Sequence, residues 1–195
     1  MIKNGVFLAR MQPLHNGHLY MVEKALKECE RLTIVLGSSN KSFMTRNPFT
    51  FELRKMWLRD ALQNLNDFDR INIFELPDWS YENDTNETYE WGRYFYYNVV
   101  SRIQSKTFSI FYNDDLNIIQ SWFDETIKDR IDIRHSERSK IFDGLSATKI
   151  REAILTDNDE YLKKYLPLSV RKDVPMIKDY LIKVKNNPIQ DFSME

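Results

Sequence analysis

The chain has 195 residues, which is close to one average domain and excludes a large multidomain machine. Its 28 Lys and Arg residues and 29 Asp and Glu residues leave a formal net charge of −1, so no basic excess attracts nucleic acid or anionic membrane. No apolar run approaches the roughly 20 residues of a membrane span. We therefore expect a cytoplasmic protein with neither a nucleic-acid nor a membrane partner, and the single Cys29 fits a reducing compartment.

Apolar runs and amphipathic segments alternate from the start of the chain. The run at residues 2–9 predicts a buried first strand, and apolar residues at three- and four-residue spacing over residues 17–30 predict a helix whose apolar stripe includes Cys29. The run at residues 32–36 predicts the strand that closes a βαβ unit. The sheet should therefore be parallel, with a right-handed crossover.

The same alternation continues downstream. Residues 77–90 contain five acidic side chains and neither Lys nor Arg, which predicts a loop. The other predicted elements are a helix capped by Thr50 that ends near residue 62, a strand at 71–76, a helix at 91–103, a strand at 108–112, a helix carrying Leu116, Ile119 and Phe123, a strand at 131–134, a helix opened by Ser146, and two helices over 157–185 separated near Pro167. This pattern predicts an α/β fold with a Rossmann-like, doubly wound parallel sheet of about five strands. We expect one domain over residues 1–195, in which residues 157–195 form a helical C-terminal extension.

The loop after the first strand carries the most informative pattern, Arg10-Met-Gln-Pro-Leu-His15-Asn-Gly17-His18. In an open α/β sheet, ligands bind where the carboxyl end of a strand faces a helix N-terminus, and free helix N–H groups favour anions there. Gly17 lets a phosphate approach the backbone, and both histidines can donate N–H bonds to it. Together with Arg10, they indicate a phosphate site rather than solvated loop histidines.

A second pattern, Gly144-Leu-Ser146-Ala-Thr148-Lys-Ile-Arg151, also stands at a predicted helix start. Ser146 can cap the helix, Thr148 adds a hydroxyl, and Arg151 offers a two-pronged donor for phosphate oxygens. By itself this pattern also fits a capped helix with a solvated arginine. Combined with the first pattern, it favours a site for a polyphosphate.

Both patterns resemble signatures of a known superfamily. The first is similar to the His-x-Gly-His signature of the α/β nucleotidylyltransferases, and the second to their Ile-Ser-x-Thr-x-Ile-Arg signature. Gly37-Ser38-Ser, followed by Asn47-Pro-Phe-Thr-Phe-Glu-Leu-Arg54, resembles a block of the nicotinamide-nucleotide adenylyltransferases of archaeal type. The resemblance extends over residues 5–62 and 142–185 and is weak between them.

The resemblance implies transfer of the AMP moiety of ATP to nicotinamide mononucleotide (NMN), which forms NAD and pyrophosphate. The phosphate of NMN would attack the α-phosphorus directly, so catalysis depends on positioning and electrostatics rather than on a protein nucleophile. Mg²⁺ is implied as the cofactor, held mainly by ATP phosphates and water and not by a metal site of the protein. The resembled enzymes are commonly homo-oligomers, so we expect this chain to be one.

The resemblance also implies which residues meet ATP. His18 would serve the α-phosphate and its transition state, with His15 and Arg10 as the other catalytic residues. The implied ATP-binding residues are Ala9, Arg10, Met11, His15, His18, Ser146, Thr148 and Arg151. Ala9 stands where the family usually has Gly, and it still permits backbone contact with the nucleotide.

The implied NMN-binding residues are Ser38, Asn47, Arg54 and Trp91. Arg54 would bind the phosphate, and Trp91 would stack on the cationic nicotinamide ring. Trp91 also fits a core role, because it lies at helical spacing with other apolar residues, and three tyrosines could stack on the ring instead: Tyr89, Tyr96 and Tyr97. After the fourth strand, Tyr112-Asn113-Asp114-Asp115 replaces the glycine-containing turn of the family, so Asn113 alone is a candidate there for adenine or ribose.

Two other functions stay open at this point. Pantetheine-phosphate adenylyltransferase shares both nucleotide motifs, although it is not expected to show the block from Asn47 to Arg54. A nucleotide sensor would keep the pocket without catalysis, and its DNA-binding form would need a basic domain that the sequence does not predict. His135, beside Arg134 and Arg138, is predicted to belong to a solvated cluster.

Overall fold

A computed structural model describes residues 2–78, 88–137, 140 and 142–187 of the chain. Within these ranges five strands form one sheet in the order β3-β2-β1-β4-β5, and all four pairings are parallel. The strands are β1 (Ile2–Ala9), β2 (Cys29–Gly37), β3 (Ile71–Leu76), β4 (Phe108–Tyr112) and β5 (Ile131–His135). The strand order changes direction at β1, which confirms the doubly wound α/β fold. In such folds the ligand crevice lies outside the carboxyl ends of the strands at this switch point, which here are β1 and β4.

Helices connect and follow the strands. They are α1 (Asn16–Glu28), α2 (Phe51–Leu62), α3 (Thr88–Ile103), α4 (Leu116–Gln120), α5 (Ala147–Leu155), α6 (Asp159–Tyr165), α7 (Leu168–Arg171) and α8 (Val174–Asn186). Thr50 caps α2 as predicted, because its side chain accepts the N–H of Leu53 at 3.3 Å. Ser146 caps α5 in the same way through Lys149. Among the described residues, no helix combines the length and the apolar character that crossing a bilayer requires.

The two faces of the sheet pack against different helices. Val6 and Phe7 are neighbours in β1, and their side chains point to opposite faces. Phe7 belongs to a cluster with residues of α1, α2, α5, α6, α7 and α8, whereas Val6 belongs to a cluster with Phe95 of α3 and Ile119 of α4. Helices therefore cover both faces, as the apolar runs in the strands predicted.

The C-terminal helices pack against α2. Trp57 of α2 donates its indole N–H to Asp173 Oδ2 at 2.8 Å, and Lys172 Nζ lies 2.7 Å from Asp60 Oδ2. The prediction of two helices over residues 157–185 was wrong, because the structure has three there. The chain leaves helical geometry near Pro167, as predicted, and again at residues 172–173, where the turn brings Asp173 to the indole.

The placement of Cys29 in the first helix was also wrong. Cys29 is the first residue of β2, and its partner across the sheet is Ile2, so the early start of β1 extends β2 toward the helix. Its N–H still bonds to the Ala25 carbonyl and closes α1. The residue is buried, but a strand and not a helix places it in the core.

Two further boundaries differ from prediction. Helix α4 ends at Gln120, so Phe123 is not helical, although it is buried. Its neighbour Asp124 accepts the N–H of Thr126 and thereby forms a turn. Helix α3 begins at Thr88 and not at residue 91, and most of the predicted acidic loop, residues 79–87, lies outside the described residues.

Candidate active site

The two predicted phosphate motifs meet beside the loop that follows β1. Arg151 of α5 donates a hydrogen bond from Nη1 to the carbonyl oxygen of Gln12 at 2.7 Å, although 139 positions separate the two residues. A Cβ on Gly17 in α1 would lie 3.6 Å from the side chain of Leu145, the residue before the Ser146 cap. The N-termini of α1 and α5 therefore lie together, and such ends favour anions.

The two histidines of the first motif form a stacked pair. The ring centroids of His15 and His18 are 3.7 Å apart, with 22° between the planes. The backbone N–H of His15 donates to Nδ1 of His18 at 3.2 Å, so a neutral His18 ring carries its proton on Nε2. His15 is buried and His18 is half-buried. Of the two, His18 is therefore the better placed to donate an N–H to a ligand.

The packing of this pair leaves little room for a side chain at Gly17. A Cβ at this position would lie 3.1 Å from both Cε1 and Nδ1 of His15, which is closer than ordinary van der Waals contact. Any other residue at position 17 would press on the ring that stacks on His18. The glycine therefore sets the geometry of the histidines.

Arginines surround the same loop. Burial lowers the pKa of Arg151, and the positive charges of Arg10 and Arg46 lower it further, whereas Glu152 opposes this effect. Arg10 and Arg46 thus lie close enough to act on the charge of Arg151, and a bound anion would offset the positive charge of this region. Sequence reasoning missed Arg46, although it directly precedes the Asn47-Pro block.

Gln12 joins this loop to the loop that follows β2. Its side chain is 2% exposed, and its Nε2 donates to the Phe49 carbonyl at 3.1 Å while its Oε1 accepts the Phe49 N–H at 2.9 Å. A side-chain amide can pair with both backbone groups of one residue in this way because it has a donor and an acceptor. Sequence reasoning missed this role, since nothing local identifies a partner 37 positions away.

Arg54, which was expected to bind the NMN phosphate, lies inside the protein with 0% exposure. Its guanidinium donates only to backbone carbonyl oxygens in the hydrogen bonds that the structure shows. The acceptors are Thr50 at 3.2 Å, Arg10 at 2.6 Å, Gly37 at 2.9 Å and Ser38 at 3.2 Å. Arg54 therefore joins α2 to the ends of both β1 and β2.

Ser38 and Asp78 connect the ends of β2 and β3. The Ser38 hydroxyl donates to Asp78 Oδ1 at 3.0 Å, and Lys41 Nζ lies 3.2 Å from Asp78 Oδ2. The N–H of Asp78 donates to Asn40 Oδ1 at 2.9 Å. Sequence reasoning placed Ser38 in the NMN site but missed the ion pair of Lys41 and Asp78 that its hydroxyl contacts, because Lys41 and Asp78 lie on different loops.

Asn47 and Trp91, the other two residues expected to bind NMN, have different surroundings. Asn47 is 6% exposed, and its side-chain oxygen has no hydrogen-bond partner within the described ranges. Trp91 is half-buried, with its ring centroid 5.7 Å from that of Tyr94 and 6.1 Å from that of Trp122. Trp91 thus joins the aromatic cluster beside β4, and one part of its surface stays accessible.

The three tyrosines that could stack on the nicotinamide ring instead of Trp91 differ in their exposure. Tyr96 is 1% exposed and donates its hydroxyl to the Lys106 carbonyl at 2.8 Å, so its ring belongs to the core. Tyr89 and Tyr97 are 53% and 62% exposed. Both remain able to contact a ligand or a partner.

The turns after β4 and β5 form the other side of the crevice. Asn113 is half-buried, and the two aspartates after it are exposed. His135 was predicted to be solvated, but it is half-buried and its Nε2 lies 2.8 Å from the carbonyl oxygen of Asp114. Because a carbonyl can only accept, that nitrogen carries the proton. Closer to the first motif, Thr148 Oγ1 accepts from Arg151 Nη2 at 3.2 Å.

In the described part of the chain, no group of three or more His, Cys, Asp or Glu residues is arranged to hold an ion. The cations named above are suited to phosphate oxygens instead.

Comparison with known proteins places this geometry in a family. The cytidylyltransferase-like family model matches residues 6–153, which include both phosphate motifs. The nicotinamide-nucleotide adenylyltransferase of Halorubrum lacusprofundi is 28% identical over 159 residues, which cover 80% of this chain and 77% of that protein. The enzyme of the same name from Saccharolobus solfataricus is 36% identical over 78 residues, which cover 40% of this chain and 45% of the relative.

Solved structures show the same fold. A bifunctional NMN adenylyltransferase/ADP ribose pyrophosphatase from Francisella tularensis, complexed with AMP and a manganese ion, matches with a TM-score of 0.63 and 23% identity. The match covers 95% of this chain and 55% of that one. The nicotinic acid mononucleotide adenylyltransferase of Plasmodium falciparum matches with a TM-score of 0.57 and 17% identity over the whole of both chains.

Proposed function

Because this chain belongs to the cytidylyltransferase-like family, we propose that it transfers the adenylyl group of ATP to NMN, forming NAD and pyrophosphate. The observation that carries the proposal is the contact between Arg151 and Gln12, which joins two phosphate motifs that are distant in sequence. The names of the relatives support NMN as the acceptor. The block from Asn47 to Arg54 supports it as well.

The reaction requires positioning more than chemical activation. An oxygen of the NMN 5′-phosphate attacks the α-phosphorus of ATP, the bond from that phosphorus to the β-phosphate oxygen breaks, and pyrophosphate leaves with the bonding electrons. Both reactants are anions, so cationic and N–H donors around the reacting phosphorus lower the barrier. His18 is suited to this task through the N–H on Nε2, with His15 stacked against its ring.

The ATP half of the proposed site lies between the two helix N-termini. Ala9 and Met11 offer backbone groups at the end of β1, and Arg10 adds a charge beside the α-phosphate. The β- and γ-phosphates fit the start of α5, where three residues supply donors: Ser146, Thr148 and Arg151. Mg²⁺ enters as part of the substrate MgATP, with its oxygens supplied by phosphates and water.

The NMN half of the proposed site begins at the end of β2. Ser38 lies there in the left-handed region with φ of 50°, and Asn47 brings a buried side-chain acceptor. Trp91 supplies an aromatic face for the cationic nicotinamide ring. Arg54 lies beneath this half, with 0% exposure and a hydrogen bond to the Ser38 carbonyl.

The test is an assay of pyrophosphate release with MgATP and one acceptor per reaction. The acceptors are NMN, nicotinate mononucleotide and phosphopantetheine, and mass spectrometry identifies the product. We expect NAD or its nicotinate analogue, and the ratio of the two gives the base preference. Activity with phosphopantetheine alone would favour the alternative adenylyltransferase. Binding of ATP without turnover of any acceptor would favour the nucleotide sensor.

Assembly and location remain predictions from the sequence. A homo-oligomer is expected, and size-exclusion chromatography with light scattering measures its mass directly. The cytoplasmic location is tested by fractionation of cells that express the chain at its natural level.

A further inference from the structure

We propose that Arg54 is a positioning residue that holds the ends of β1 and β2 in the shape the substrates require, and that it does not contact the NMN phosphate. The kinetic part of the test rests on the proposed adenylyl transfer. A binding experiment and a spectroscopic experiment test the same inference without it.

Hydrogen bonds to the backbone already occupy most of the donors of Arg54. A guanidinium has five N–H groups, and four of those of Arg54 point at backbone carbonyls between 2.6 and 3.2 Å away. The side chain, including its fifth N–H, has no exposed surface. A phosphate could therefore reach the guanidinium only if the surrounding backbone moved, and the carbonyls bonded to Arg54 would then lose their partners.

Two of these acceptors precede strained turns. Met11 has φ of 52° and Ser38 has φ of 50°, a region that side chains other than glycine rarely adopt. The carbonyls directly before them belong to Arg10 and Gly37, and a single nitrogen, Nη1 of Arg54, donates to both. One buried nitrogen therefore fixes the orientation of both peptide groups where the chain leaves β1 and β2.

The positive charge of Arg54 also helps to make the ends of β1 and β2 suitable for the substrates. Burial lowers the pKa of Arg54 to about 10, while Asp78 and Glu52 oppose the shift, so the group stays charged at neutral pH. The carboxyl ends of parallel strands present carbonyl oxygens to the crevice, and those oxygens repel phosphates. The guanidinium satisfies three of these oxygens at the ends of β1 and β2 and adds a positive charge beneath them.

Through these contacts Arg54 reaches both halves of the site. The Arg10 carbonyl connects it to the loop that carries Arg10 and Met11, which are assigned to ATP. The Ser38 carbonyl connects it to the turn whose hydroxyl binds Asp78 on the NMN side. A direct ligand of the NMN phosphate would influence NMN alone, whereas a positioning residue influences both substrates.

The first test is Arg54→Lys, which keeps the charge but offers only one nitrogen to carbonyls that lie on three segments. We expect kcat to fall and the KM of both ATP and NMN to rise, with a loss in kcat/KM of roughly ten- to hundredfold, the range for losing hydrogen bonds to a charged group. Arg59→Lys on the exposed side of α2 is the matched control, and it should change neither kcat nor the KM of either substrate. A rise confined to the KM of NMN would overturn the proposal.

The second test is a double-mutant cycle measured by calorimetric binding of ATP. If Arg54 acts through the Arg10 loop, Arg54→Lys weakens ATP binding less in an Arg10→Ala background than in the wild type, by about threefold or more. Equal effects in both backgrounds would contradict the proposal. This cycle needs no acceptor, so it still decides the role of Arg54 if the wild type fails to make NAD.

A measurement on the wild type covers the case in which Arg54→Lys does not fold. In NMR spectra of the ¹⁵N-labelled protein, we expect the Arg54 guanidinium protons to be protected from exchange without ligand and to shift little when NMN is added. Protection that appears only with NMN, together with scalar coupling to its phosphorus, would show direct binding and overturn the proposal.

Discussion

The two sides of the crevice are built differently. Between β1 and β2, buried polar side chains tie the loops together, with Gln12 bonded to the Phe49 backbone and Arg54 bonded to the strand ends. Beside β4 and β5, the residues after the strands are half-buried or exposed, and His135 is held by one backbone carbonyl. We therefore expect the first side to be preorganised and the second side to be the more adaptable of the two.

This difference matches the distribution of recognisable motifs. A buried polar group must find its partner, so the residue type at such a position is closely restricted. An exposed turn accepts many residue types. The motifs accordingly lie at the end of β1, after β2 and at the start of α5, which meets the β1 loop through Arg151 and Gln12. The resemblance is weak between residues 62 and 142, a stretch that includes the turn Tyr112-Asn113-Asp114-Asp115 after β4.

The largest expected effect is that of His18→Ala. Loss of an N–H donor at the reacting phosphate should lower kcat by roughly 100- to 1000-fold, with a small change in ATP affinity if the contact strengthens in the transition state. Single-turnover kinetics and calorimetry measure the two quantities separately. Equal losses in affinity and kcat would reduce His18 to an ordinary ATP contact.

Trp91→Ala tests whether the aromatic cluster beside β4 reaches the nicotinamide. We expect the KM of NMN to rise roughly tenfold while that of ATP is unchanged, because a ring that stacks on a cation contributes on the order of 1 kcal/mol or more. Trp122→Phe in the same cluster is a control for packing. An unchanged KM for NMN would assign Trp91 to the core.

Gln12→Leu probes the preorganised side through stability. The substitution keeps the volume similar but leaves both the N–H and the C=O of Phe49 buried without partners, which should cost about 2 to 4 kcal/mol of unfolding free energy. Urea denaturation measures this cost. A loss below about 0.5 kcal/mol, as for an ordinary surface substitution, would mean that Gln12 does not tie the loops together.

The smallest effect is expected on the adaptable side. His135→Ala removes one hydrogen bond to a backbone carbonyl at a half-buried position. The equilibrium constant of unfolding and the kcat/KM for ATP should therefore each change by less than about threefold. A loss comparable to that of His18→Ala would show that the β4–β5 turns are part of the catalytic machinery and would remove the contrast between the two sides.

Much of the fold could be predicted from local patterns. The parallel sheet follows from short apolar runs that alternate with helical periodicity, and the caps at Thr50 and Ser146 follow from their positions before helices. The role of Cys29 could not be predicted, because it depends on pairing with Ile2. The break at residues 172–173 did leave a local signal that sequence reasoning missed, because Pro175 lies in the first turn of α8, where proline is typical of a helix start.

The candidate site was predictable in part. The motifs identified the loop and the helix start that Arg151 and Gln12 bring together. The burial of Arg54 was not predictable, because its acceptors at Gly37 and Arg10 lie 17 and 44 positions away and the family resemblance of the block that it ends implied a phosphate ligand instead. Networks of this kind depend on tertiary structure and leave no periodic trace in the sequence.

Direct adenylyl transfer from ATP to NMN at the junction of the two motifs determines where the α-phosphate of ATP goes. It is tested by a reaction with ATP labelled in its α-phosphate, followed by separation of protein, nucleotides and pyrophosphate. We predict that the label moves into NAD in proportion to the pyrophosphate released, with none bound to protein, and that His18→Ala abolishes most of this transfer. Label retained on the protein, or ATP consumed without labelled dinucleotide, would contradict it.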